Sequence, residues 1–113
     1  MEKKSIKEYI NYNEKQFAKR IIFKDEVNTA FTLNFLPGQS LPAHKHPGAT
    51  VYIYVMDGIG EFSIDGEKVP VKKDDVLFSE GHEEMAFFNS SSENVNLYVI
   101  LSKIPDERYA KDI

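Results

Sequence analysis

At 113 residues, 42% of them hydrophobic, the chain has the size and composition of one globular domain with its own core, and neither disorder nor a collagen-like repeat fits it. Fourteen basic against eighteen acidic residues leave a formal net charge of −4, the wrong sign for a protein that grips phosphate backbones, so no nucleic-acid partner is expected. With no cysteine, disulfides, thiolate metal ligands and cysteine nucleophiles are excluded.

In chain order, the N-terminal segment (residues 1–16) carries Lys3, Lys4 and Lys7 interleaved with Glu2 and Glu8, which reads as a solvated stretch. Ile6, Tyr9 and Ile10 fit one helical turn and are too scattered to form the apolar run of a signal peptide. From there the pattern is β. Phe31, Leu33 and Phe35 alternate with Thr32 and Asn34 until Pro37-Gly38 breaks the run. Val51, Ile53 and Val55 alternate with Tyr52 and Tyr54 up to Asp57-Gly58, and Phe62 and Ile64 lead into Asp65-Gly66, a type I′ hairpin signal. Val69 and Val71 return from that turn, and strands are predicted at 75–78, at 85–88 and through Val95, Leu97 and Val99. Ser90 to Asn94 reads as a plain polar loop, and Pro105-Asp106-Glu107 as a helix start in a C-terminal tail (residues 102–113). Short strands with turn signals between them predict an antiparallel sandwich or barrel. The longest apolar run, Val51 to Met56, is far too short to span a bilayer, so a soluble cytoplasmic protein without a membrane partner is expected.

Two of the three histidines sit together in His44-Lys45-His46. On an extended strand, side chains at i and i+2 share a face, so both imidazoles can converge on one point. Neutral imidazole is the commonest protein ligand for Zn, Cu, Fe and Ni, which makes the pair half of a metal site. Gly38 precedes the pair and Gly58 follows it; Asp75 and Asn89 stand further on.

This frame resembles the cupin superfamily, over about residues 31–101, and His44-Lys45-His46-Pro47-Gly48 is its most cupin-like stretch. The resemblance implies a double-stranded β-helix, a small jelly-roll barrel of two antiparallel sheets, in a single domain and assembled as a homodimer. It also implies a cavity in which two His and a Glu from a first motif meet a His from a second around one divalent metal. Carried over position by position, Gly38, His44, His46 and Gly58 match, whereas the Glu position falls on Val51 or Thr50. In the second motif the His position is Met85, a glycine position is His82, a proline position is Glu80, and Asp74 replaces a glycine beside the matching Asp75. The frame is kept with half of its ligand set.

Three readings follow. His82, or a carboxylate among Glu80, Glu83 and Glu84, swings inward as a third ligand and restores a site for Zn, Fe, Mn or Ni. Alternatively Met85 is itself a ligand, two imidazoles and a thioether favouring Cu. In the third, the metal is gone or weakly held: Val51, Ile53, Met85 and Phe87 line an apolar cavity with His44 and His46 at its rim, the form of a small-molecule site. Of these, small-molecule binding with a partial His-based metal site is the leading expectation, a metal-dependent oxygenase- or isomerase-type enzyme the alternative, and a non-catalytic scaffold a third. No catalytic residue is identified. The chain has no Gly-x-Ser-x-Gly elbow, and Gly58-Ile59-Gly60 runs into a strand rather than a phosphate-binding helix. Tyr52 and Tyr54, on the opposite face from Val51 and Ile53, are expected to pack against the N-terminal segment or a partner subunit.

Overall fold

A computed structural model describes residues 1–104, so the expected helix start at Pro105 lies outside the described residues. A 3-10 turn at Ile6–Tyr9 precedes nine strands: β1 Ala18–Lys24, β2 Asn28–Phe35, β3 Ser40–His44, β4 Ala49–Asp57, β5 Ile59–Ile64, β6 Glu67–Lys72, β7 Val76–Glu80, β8 Met85–Phe88 and β9 Val95–Lys103. They form two antiparallel sheets, one ordered β1-β2-β9-β4-β7 and the other β3-β8-β5-β6, and each sheet has two free edges. No helix among the described residues is long and apolar enough to cross a membrane.

Period-two alternation sets which residues meet between the sheets. The five-stranded sheet turns inward Phe31, Leu33 and Phe35 from β2, Val51, Ile53 and Val55 from β4, and Val95, Leu97 and Val99 from β9. Phe62, Val71, Met85 and Phe87 face them from the four-stranded sheet. Phe87 sits between Phe35 and Phe62, with ring centroids 4.8 and 4.7 Å away and the planes tilted, an arrangement that ties the sheets together. Phe87 is therefore buried core packing.

Turn chemistry fixes the registers. Asp65 and Gly66 both take positive φ, 51° and 83°, as a type I′ turn requires, and Ile64 pairs with Glu67 across it. Asp74, standing where the resemblance has a glycine, adopts φ 76°, a left-handed conformation that aspartate tolerates better than most residues. Its backbone N–H donates to the Val55 carbonyl at 2.8 Å.

Two strands escaped the sequence patterning. Strand β1 is an edge strand with Ile22 as its one buried residue, and Lys19, Arg20 and Lys24 mask any alternation. Strand β3 is short, contains Pro42 and has no fully buried residue. Pro42 is tolerated because β3 is an edge strand too.

The N-terminal segment lies over the outer face of β2 and β9. Thr32 and Asn34, both 0% exposed, donate to the Tyr9 carbonyl at 2.7 and 3.0 Å. Asn96, paired with Asn34 across the strands, donates to the Asn34 side-chain carbonyl at 2.9 Å and to the Tyr12 hydroxyl at 3.0 Å. At the far end of the sheet Tyr52 and Tyr54 stay exposed. They line an open groove of about 450 Å³ with Val76, Phe78, Tyr98 and Ile100, and no residue of the N-terminal segment reaches it. The polar loop after β8 is also less plain than its composition: buried Asn89 donates to the Glu93 carbonyl at 2.7 Å and accepts from the Ser91 hydroxyl at 2.7 Å, closing the loop on itself.

Candidate functional site

Between the sheets the inward side chains leave a cavity of about 180 Å³. Its depth is apolar and fully buried, with Val51, Ile53, Phe62, Met85, Leu97 and Val99 on the walls. Its polar lining consists of Lys19, His44 and His46, which are exposed or half-buried and so mark the mouth. Val51 and Met85, at the two positions where the resemblance calls for a carboxylate and an imidazole, both line the cavity with side chains that carry no charge. Met85 pairs with His44 across β3 and β8.

The two imidazoles meet by a route other than the expected shared strand face. His44 ends β3, whereas His46 lies beyond the strand, just before the Pro47-Gly48 turn, where Gly48 takes φ 78°. The turn is clamped from the opposite side. The His46 N–H donates to the Gly81 carbonyl at 3.0 Å, and a Cβ on Gly81 would fall 2.2 Å from the His46 carbonyl oxygen and 2.4 Å from that of Ala49. Only a residue without a side chain allows the β7–β8 turn to sit this close.

His44 Nδ1 lies 2.7 Å from the Pro42 carbonyl oxygen, which can only accept, so this nitrogen carries the ring proton. In the neutral ring Nε2 is then the acceptor, and it lies 3.0 Å from His46 Nε2, with the rings edge to face. The basicity of His46 is held below the usual histidine range first by burial, then by the neighbouring His44 and Lys19. The Lys19 ammonium rests over the Phe31 ring, 4.5 Å from its centroid, and has no ion-pair partner among the described residues.

His82 does not join the pair. It sits on the outer side of the β7–β8 turn with its side chain 75% exposed, 3.5 Å from the Glu80 carboxylate, and is absent from the cavity lining. Glu83 is turned back on its own loop, accepting the Glu80 N–H at 2.8 Å, and Asp65 accepts the Glu84 N–H, which ties that turn to the neighbouring hairpin. The turn is closed by its own backbone bond from the Glu83 N–H to the Glu80 carbonyl at 3.0 Å, and none of Glu80, Glu83 and Glu84 lines the cavity. Among the described residues no group of three or more His, Asp or Glu side chains is placed to hold a metal. Two imidazoles beside Val51 supply too few nitrogen and oxygen donors for the three or four protein ligands of a Zn, Fe, Mn or Ni centre, and Met85, the soft donor of the copper reading, lines the same cavity. Phe87, expected on the cavity wall, is not among the lining residues and packs its ring against Phe62.

Lys19 and Phe17 were not singled out in the sequence, and both line the cavity. The signal for them was faint, a single apolar residue just ahead of an edge strand and a lysine on it, and the pattern did not show the pairing of that strand with β2.

Comparison with known proteins places the chain. A family profile described as "Cupin domain" matches residues 31–101. Among curated proteins the chain is similar to the "Oxalate-binding protein" of Thermotoga maritima, 31% identical over 65 residues that cover 58% of this chain and 54% of that protein. It is similar as well to the "Tetracenomycin polyketide synthase protein TcmJ" of Streptomyces glaucescens, 33% identical over 46 residues, 41% of this chain and 31% of the relative. The matched stretches thus span about half or less of these relatives. Among solved structures, TT1209 from Thermus thermophilus superposes with a TM-score of 0.86 at 25% identity, covering 93% of this chain and all of that one.

Proposed function

The chain belongs to the cupin domain family, and on that footing we propose that it binds one small organic molecule in the cavity between its sheets, with His44 and His46 at the entrance. The observation that carries this reading is the division of the cavity into an apolar, buried interior and a polar mouth. A ligand buries its carbon skeleton inside and fixes its orientation through the few polar groups at the rim. The likeness to a relative named for binding oxalate supports a ligand of small size. In the same reading the two facing sheets are the double-stranded β-helix of that family, and the working form is a cytoplasmic homodimer joined through the exposed apolar groove.

Melting the chelator-treated protein against a panel of small organic acids, alcohols, amides and sugars tests the proposal. A true ligand raises the melting temperature with concentration. The rise is expected to shrink in a His44→Ala/His46→Ala variant that still melts cooperatively. A panel in which nothing shifts the parent protein, or in which parent and variant shift alike, would sink it.

A further inference from the structure

Within that reading of the cavity, which it requires, we infer that Lys19 makes the site selective for a short monocarboxylate carrying an apolar tail. Two observations and one general rule meet here. The polar lining of the cavity holds an ammonium and two imidazoles but no carboxylate, so an anion meets no like charge there. The Lys19 ammonium has no ion-pair partner among the described residues and rests on Phe31, itself a wall of the cavity, leaving its N–H donors for a ligand. Charge-assisted hydrogen bonds from an ammonium to a carboxylate are stronger than neutral ones.

The interior decides the rest of the ligand. A volume of about 180 Å³ holds roughly six water-sized groups, at ~30 Å³ each. That is a carboxylate head with a tail of about three carbons. Below the mouth the walls are Val51, Ile53, Phe62, Leu97 and Val99, which offer no hydrogen bond. A second carboxylate on the tail would be buried without a partner, a cost that a small dianion cannot recover. Lys19 lies on β1, ahead of the family-matched residues 31–101, so this selectivity is supplied from outside the shared core.

Calorimetric titration of the full chain in the presence of EDTA tests this, with sodium butyrate as the probe and butyramide, succinate and oxalate as its comparisons. Butyrate is expected to bind saturably, and the other three at least about tenfold more weakly, the scale of one charge-assisted bond. Raising the salt concentration should weaken butyrate and leave butyramide unchanged. Lys19→Met keeps the stem over Phe31 and removes the charge, so it should lower butyrate affinity about tenfold or more, whereas Lys19→Arg should retain most of it. If Lys19→Met melts without a cooperative transition, the salt series on the parent protein decides. Butyramide or succinate binding as tightly as butyrate would overturn the inference and leave the cavity reading standing. Oxalate matching butyrate would do the same. Silence from every probe would overturn it too, and only a failed panel screen would take the proposed function with it.

Discussion

On the outer face of the five-stranded sheet, β2 and β9 present Thr32, Asn34 and Asn96, whereas β4 and β7 present Tyr52, Tyr54, Val76 and Phe78. The polar set is buried, Asn34 completely, and the apolar set is open to water, Val76 and Phe78 being 75% and 55% exposed. Hydropathy would assign the two regions the other way round. The difference lies in what each can be covered with. Thr32, Asn34 and Asn96 have partners at hand, since the N-terminal segment brings the Tyr9 carbonyl and the Tyr12 hydroxyl within hydrogen-bond reach. The β4–β7 region has no part of the described chain to cover it. Burial follows satisfaction of polar groups as much as hydrophobicity.

The comparison breaks most readily at Asn34. Asn34→Ala leaves the Asn96 amide and the Tyr9 carbonyl short of partners in a dry setting, and urea unfolding should show a loss of about 3 kcal/mol. A loss under about 0.5 kcal/mol would mean that the buried ladder contributes no more than a surface contact. The apolar region answers to a different measurement. If a second copy covers it, Phe78→Asp should turn a dimer into a monomer by light scattering while urea unfolding of the monomer moves by less than about 0.5 kcal/mol. A parent protein that is monomeric at micromolar concentration refutes the dimer. The smallest effect is expected at Tyr54. Its hydroxyl donates to Asp74 at 2.6 Å, shorter than any bond of the Asn34 ladder, yet the pair is exposed. Tyr54→Phe should therefore leave the urea midpoint where it is in the parent protein, which would show that solvent, not length, sets the value of these bonds.

The same contrast explains what could be read in the sequence. Strands β4 and β9 were legible because three alternate residues of each, Val51, Ile53 and Val55 or Val95, Leu97 and Val99, are buried core. The Asp65-Gly66 turn was legible because its two positive φ angles restrict the residues allowed. Strands β1 and β3 were not, since edge strands with little burial leave no period to detect. In the site, His44 and His46 were found by nearness in sequence, and Val51 and Met85 by their place in a family frame. Lys19 was out of reach because it enters through a pairing of β1 with β2 that no local pattern announces. His82 pointed the other way: its chemistry suited the cavity, and its place on the outer side of a turn did not.

Gly81 has nothing with which to touch a ligand, and its contribution is to be absent. The carbonyls of His46 and Ala49 occupy the space where its side chain would stand. A survey for reactive groups passes over such a position, while the placement of His46 is written there as firmly as in the histidine itself. In this protein part of the instruction for the entrance is encoded as a missing atom on the opposite turn.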